Sequence, residues 1–187
     1  MPSRVPSEIR HRLEPVRLLV LDVDGVLTDG SLSYSSQGED RKVFSARDGL
    51  AIRLLLEAGI QVAMISGRSS EAVIVRCTEL GVRSEMIVLG SKDKVADLER
   101  LEELLDVVDL EVAAMGDDLP DIPLLNRAVF TACPADAAPE VMATCDLVCG
   151  APGGRGAVRE FAELILKVQG KWMDTVGKWV APGTQDT

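Results

Sequence analysis

The feature that most constrains the fold of this chain is an alternation that starts at Gln61 and continues almost to the C-terminus. Apolar runs of strand length at residues 61–65, 86–89, 111–115 and 129–133 are separated by stretches of helical period at 70–80, 92–107, 119–126 and 157–168. Strands that alternate with helices specify a parallel sheet with helices on both faces, and ligands of such sheets sit at the carboxyl ends of the strands. The chemistry is therefore to be sought where each apolar run gives way to polar residues.

The segment before Gln61 adds two elements. Residues 17–21 form a further buried strand that runs straight into Asp22. Short strands at 31–34 and 41–44, joined by Ser35-Ser36-Gln37-Gly38, suggest a hairpin, because the Ser/Gly segment supplies turn chemistry. Asp48 is expected to cap a helix reaching about Ala58, buried through Leu50, Ile52, Leu54, Leu55 and Leu56 and stopped by Gly59. The expectation is thus an α/β domain: a Rossmann-like parallel sheet with helices on both faces, a short β-hairpin flap and no cap domain. A chain of 187 residues that is 47% hydrophobic has enough apolar surface for one substantial core. The domain is placed at 17–169, between a polar arm at 1–16 and a tail at 170–187. In the tail Trp172, Val176, Trp179 and Val180 share one helical face, which reads as packing on an unidentified surface.

Several function classes are disfavoured. A formal charge of -10 gives no attractive field for nucleic acid or an anionic membrane. No apolar run approaches the ~20 residues of a membrane span, and residues 1–15 lack the apolar stretch of a signal peptide. A soluble, cytoplasmic protein is expected. Cys77, Cys133, Cys145 and Cys149 contain no C-x-x-C pair and have no histidine beside them, so they read as buried free thiols rather than a zinc site. The single histidine, His11, lies in the polar arm, which argues against histidine-based catalysis.

Four strand ends carry complementary polar residues. Asp22-Val23-Asp24-Gly25 follows the first strand, Ser66-Gly67-Arg68 the second, Ser91-Lys92-Asp93-Lys94 the third and Gly116-Asp117-Asp118-Leu119-Pro120-Asp121 the fourth. Each alone is ordinary: D-x-D-G and Gly-Asp-Asp are common loop sequences, and a lysine at a helix start is usually solvated. Together, in order and each at a strand end, they specify one cleft for phosphoryl chemistry. Bringing a carboxylate to about 4 Å from a phosphate oxyanion costs roughly 4 kcal/mol per unit-charge pair at an effective dielectric near 20. A divalent cation offsets that cost, and magnesium, which prefers oxygen ligands, could be held by the carboxylates of Asp22 and Asp117 with the Asp24 carbonyl. Asp22 would then attack phosphorus while Asp24 serves as acid and base, with Ser66 and a lysine, Lys92 or Lys94, on the phosphoryl oxygens. Asp118 and Asp121 are expected behind the metal ligands, orienting water or the lysine. The segment Gly150-Ala151-Pro152-Gly153-Gly154-Arg155-Gly156 lacks the lysine and hydroxyl of a nucleotide P-loop and reads equally as a structural turn or a substrate loop.

At these residues the sequence resembles the haloacid-dehalogenase-like phosphohydrolases, whose four motifs match Asp22/Asp24, Ser66, Lys94 and Gly116-Asp117-Asp118, over about Arg17 to Val168. The resemblance selects Lys94 over Lys92, and the retained Asp24 favours phosphatases over dehalogenases and phosphorylated pumps. Within the superfamily, Asp22 to Gly30, the hairpin, Arg47-Asp48-Gly49, Ser66-Gly67-Arg68 and Gly153 to Glu160 look like the family of sugar-acid phosphatases acting on 3-deoxy-D-manno-octulosonate 8-phosphate. That likeness implies Mg2+ as cofactor, a role in lipopolysaccharide sugar synthesis, a homotetramer with active sites shared between subunits, and substrate contacts from Arg47, Arg68 and Arg155. The arginines at 68 and 155 set the chain apart from related nonulosonate 9-phosphate phosphatases, which carry Glu there. With no cap domain encoded, the hairpin of one subunit is expected to close the cleft of a neighbour, and the tail with Trp172 and Trp179 to dock across the same interface. The rival readings are a phospho-accepting receiver module, which would place its acceptor aspartate on a later strand, and a catalytically silent assembly domain.

Overall fold

A computed structural model describes residues 6–36 and 38–180, apart from the side chains of residues 39 and 40. Six parallel strands make the main sheet: β1 (Leu18–Leu21), β4 (Gln61–Ser66), β5 (Ile87–Leu89), β6 (Val112–Met115), β7 (Phe130–Cys133) and β8 (Leu147–Val148), in the order β5-β4-β1-β6-β7-β8. β1 is central, pairing Leu21 with Met64 on one side and Met115 on the other. All four of its residues are buried, as a strand covered on both faces requires, which explains the unbroken apolar run in the sequence. The chain builds the sheet outward through β4 and β5, then crosses back to lay β6 on the other side of β1. The order of connection therefore reverses between β1 and β6, the place where an open α/β sheet leaves a crevice at its carboxyl edge.

Helices α2 (Ala46–Glu57), α3 (Glu71–Glu79), α4 (Lys94–Leu105), α5 (Ile122–Leu125), α6 (Pro139–Met142) and α7 (Ala157–Val168) surround the sheet. α7 buries Ala157, Val158, Phe161, Ala162, Ile165 and Leu166 along one stripe, and Phe161 stacks on Phe130 with ring centroids 5.9 Å apart. No described helix is long and apolar enough to cross a membrane.

Local structure departs from the sequence expectation in four places. The arm forms a helix, α1 (Ser7–Leu13), that buries Leu13 and is fixed by a two-pronged Arg12–Asp146 ion pair at 2.5 and 2.7 Å. The hairpin strands are β2 (Ser33–Ser35) and β3 (Gly38–Arg41), not 31–34 and 41–44, because Gly38, at φ +115°, lets the second strand begin at once, and Phe44 packs on the core instead of pairing. Asp48 does not cap its own helix. Ser45 does, and Asp48, 1% exposed, accepts hydrogen bonds from the amides of Gly156 (3.0 Å) and Arg159 (2.8 Å), capping α7 across the interface with α2. Burial pushes its carboxyl up, opposed by those amides. The tail forms α8 (Trp172–Val180), and its tryptophans pack on the same chain: Trp179 donates to Glu57 at 2.9 Å under Arg53, and Trp172 lies under Arg159 and Lys167. Their docking across an interface therefore has no support in these contacts, since both rings are already engaged.

Candidate active site

The cleft lies at the β1/β6 reversal. It measures about 320 Å³ and is lined by Asp22, Asp24, Gly30, Ser66, Gly67, Arg68, Lys94, Asp117, Asp118, Pro120 and Asp121. Asp22 follows β1 directly, and its amide donates to Met115 O at 3.0 Å, which locks the end of β1 to the end of β6. The chain then turns through Gly25, at φ +91°, and winds one helical turn back to Thr28, whose hydroxyl donates to Val23 O and accepts from the Gly25 and Gly30 amides. A side chain at Gly25 would fall on the Asp117 carboxylate, and side chains at Gly153 or Gly154 would strike the backbone of residues 25–29. Those glycines thus give the glycine-rich loop a structural role, buttressing the turn that carries Asp24.

Asp93 caps α4 by accepting from the amides of Val95 and Ala96. Lys94 is thereby aimed into the cleft, while Lys92 is exposed outside it. Its ammonium donates to Asp22 Oδ1 and to Asp121 Oδ1, each at 2.5 Å. Asp121, 2% exposed, uses its other oxygen to accept from the amides of Asp117 (2.9 Å) and Asp118 (3.2 Å). Asp118 is exposed and caps the turn that follows by accepting from Leu119 N. Ser66 is buried at the end of β4; its oxygen accepts from Arg68 N at 3.3 Å, which leaves its hydroxyl proton to be donated elsewhere.

Charge in the cleft is unbalanced. Carboxylate oxygens of Asp22, Asp117 and Asp121 lie within 4.8 Å of one another, and the ammonium of Lys94 pairs with two of them, Asp22 and Asp121. Asp117 is pushed up to about 8 by burial and by Asp22, Asp121 and Asp118, with only Lys94 opposing. Asp22 is pushed up to about 6 by burial and Asp121, again against Lys94. Burial depresses the Lys94 ammonium, but Asp22 and Asp121 outweigh it and its pKa rises. A divalent cation among them would favour the charged carboxylates and relieve that crowding. The set fits a hard divalent ion, to which Asp22, Asp117 and Asp121 can each offer a carboxylate oxygen, Asp121 with both of its own already hydrogen-bonded.

The rim is less complete. Arg68 reaches the cleft: its Nε is 3.6 Å from Asp24 Oδ2, and it donates to the Tyr34 hydroxyl of the hairpin. Arg47 and Arg155 do not. They line a separate groove with Arg159, Glu160, Glu163 and Lys167, and Arg155, its side chain 68% exposed, lies 3.7 Å from Asp29. Two contacts escaped the sequence reading, that of Tyr34 and an ion pair from Lys42 to Asp24. A signal for Lys42 existed, since period-two alternation puts it on the side of Phe44, which packs inward. The hairpin thus touches the cleft of its own chain, because the chain leaving β3 must pass Asp24 to reach α2.

A parallel sheet with these carboxylates, hydroxyl and lysine at its strand ends defines a haloacid dehalogenase-like hydrolase, and the family model of that description matches residues 85–158. An Escherichia coli 3-deoxy-D-manno-octulosonate 8-phosphate phosphatase, KdsC, is 39% identical over 93% of this chain and 92% of its own. The crystal structure of the phosphatase of that name from Yersinia pestis superposes with a TM-score of 0.86 at 38% identity, covering 90% of each chain. That from Moraxella catarrhalis, solved with magnesium, phosphate and KDO, gives 0.88 at 36% identity over 92% of this chain and 98% of that one. The chain belongs to the 3-deoxy-D-manno-octulosonate 8-phosphate phosphatase family.

Proposed function

We infer that this protein is a magnesium-dependent phosphatase that hydrolyses 3-deoxy-D-manno-octulosonate 8-phosphate to the free sugar acid and phosphate through an aspartyl-phosphate on Asp22. The observation that carries this reading is the state of Asp22: 6% exposed at the end of the central strand, one oxygen held by Lys94, with Asp24 two residues on and a cleft in front. Magnesium, held by the carboxylates of Asp22 and Asp117 and the Asp24 carbonyl, supplies the positive charge that lets a carboxylate meet a phosphate dianion.

The residues of the chain do the rest. Lys94 fixes the Asp22 carboxylate through its Oδ1, and that carboxylate is the nucleophile. As its bond to phosphorus forms, the bond from phosphorus to the sugar oxygen breaks, and Asp24 gives that oxygen its proton. In the second step Asp24 takes a proton from water, the water oxygen bonds to phosphorus, the phosphorus–Asp22 bond breaks and phosphate leaves. Ser66 donates its hydroxyl proton to a phosphoryl oxygen, and Lys94 faces the charge that builds there. Arg68, with a planar cation at the mouth of the cleft, suits the carboxylate of the sugar acid.

The assembly we propose is a homotetramer with shared sites. Its support is the hairpin: a two-stranded sheet separate from the main one, with Leu32, Tyr34 and Val43 exposed around it. Its foot serves the cleft of its own chain, while its free edges and the exposed Leu32, Tyr34 and Val43 are surfaces a neighbour would cover. The same assembly would bring Arg47 and Arg155 to a site that is not their own. Four free thiols accord with a reducing cytoplasm.

The test is phosphate release from a panel of phosphorylated sugars and sugar acids, with magnesium and with chelator. The octulosonate phosphate should be preferred and chelation should silence the enzyme. Equal rates across the panel, or release unaffected by chelation, contradict the reading.

A further inference from the structure

The side chain of Lys42 is 2% exposed, although Tyr34 of the hairpin it follows and its own neighbour Val43 are largely exposed. A buried ammonium is costly unless an anion meets it, and here the anion is Asp24 Oδ1, with which Lys42 forms a close ion pair. The other oxygen of the same carboxyl, Oδ2, is buried and accepts no hydrogen bond among the described residues; Arg68 Nε stands 3.6 Å away. The two oxygens of Asp24 are therefore unequal, one held and one left for another partner.

We propose that Lys42 is a positioning residue for the acid–base step: it fixes the rotation of the Asp24 carboxyl so that Oδ2 alone carries the proton between Asp24 and the leaving sugar oxygen. The inference rests on the reading of Asp24 as acid and base. An aspartate joined to its backbone by two rotatable bonds can present either oxygen, and each wrong rotamer removes the donor from line. Holding Oδ1 from the hairpin side removes that freedom and leaves Oδ2 toward the cleft. When Oδ2 delivers its proton as the phosphorus–oxygen bond breaks, the carboxylate that results is already paired with the Lys42 cation. Proton and charge both balance within the pair. Lys42 itself touches neither phosphorus nor the leaving oxygen.

This role predicts a dependence on the leaving group that a structural role does not. Lys42→Met and Lys42→Arg would be compared with wild type, as intact magnesium-loaded proteins, on the octulosonate phosphate and on p-nitrophenyl phosphate, whose leaving group departs without a proton. For kcat/KM, which reports steps up to departure of the leaving group, Lys42→Met should lose roughly 10²-fold on the sugar phosphate and less than about 3-fold on the aryl phosphate. Lys42→Arg, which keeps the cation, should recover part of the loss. Equal losses on both substrates, a change confined to KM for the sugar phosphate, or no loss at all would each overturn the assignment. Thermal midpoints of both variants accompany the assay, and if Lys42→Met does not fold, the same substrate split in Lys42→Arg decides. A wild type inactive on both substrates would instead overturn the phosphatase reading from which the assignment starts.

Discussion

The floor and the rim of the cleft are built on different principles. The floor, Asp22, Ser66, Lys94, Asp117 and Asp121, sits on strand ends and a helix start; Asp22, Ser66 and Asp121 are almost wholly buried, and hydrogen bonds join Asp22, Lys94, Asp121 and the amide of Asp117 in one chain. The rim, Arg68 with Tyr34, hangs on a detached hairpin and one half-exposed arginine, and Arg47 and Arg155 lie outside it altogether. Chemistry common to phosphoryl transfer needs positions fixed to fractions of an ångström, which a packed sheet supplies. Recognition of one sugar can sit on loops and edges carried by that scaffold. The contrast predicts that damage to the floor removes turnover and damage to the rim changes choice.

The sharpest break would come from Asp22→Asn. The amide is neither a nucleophile nor a good magnesium ligand, so kcat should fall by at least roughly 10⁴-fold while the circular dichroism spectrum and melting stay those of a folded protein. Substantial magnesium-dependent turnover would mean that the floor does not act as described.

A structural counterpart tests whether the scaffold under the floor is as tightly tied as its contacts imply. Asp48→Ala strands the partly buried amides of Gly156 and Arg159 and should cost about 1 kcal/mol in urea unfolding. A cost near zero would show that α7 starts without this cap.

At the rim, Arg68→Ala should reduce the preference for the sugar acid phosphate over a neutral sugar phosphate by about tenfold and leave activity on small aryl phosphates nearly intact. Arg155→Ala should do so only in the assembled protein, since within one chain the residue faces another groove. An unchanged preference in both variants would take recognition away from these arginines.

The smallest effect concerns pH. Asp117 has its folded pKa raised from 3.8 to about 8, so the folded state binds this proton more tightly than the unfolded chain does. Its contribution to stability is therefore fully present at low pH and is lost as pH rises through about 8. In chelator, the melting temperature should fall between pH 6 and pH 8.5, and magnesium or Asp117→Asn should flatten that slope. A metal-free protein that melts alike across this range would mean that the carboxylates are not crowded.

The same contrast explains what the sequence disclosed. Asp22, Ser66 and Asp117 were legible because each is a polar residue at the end of an apolar run, whereas position alone left Lys92 and Lys94 open and the family resemblance chose between them. Lys42 and Tyr34 were hidden because the register of a short hairpin depends on what it packs against, and Gly38 shifted it toward the turn. Asp48 sits where a cap is expected, yet Ser45 is the better placed cap, and only the approach of α7 gives Asp48 its partners. The arm looked polar because α1 buries only Leu13, one residue in two turns, too little for a periodic signal.

The central claim is that phosphorus passes through Asp22, and stereochemistry at phosphorus tests it most directly. With a phosphorothioate analogue of the substrate, chiral at phosphorus through sulfur and two oxygen isotopes and hydrolysed in water of the third isotope, two in-line displacements, first by Asp22 and then by water, must return the original handedness. The account predicts retention. Inversion would show a single attack by water and would contradict it.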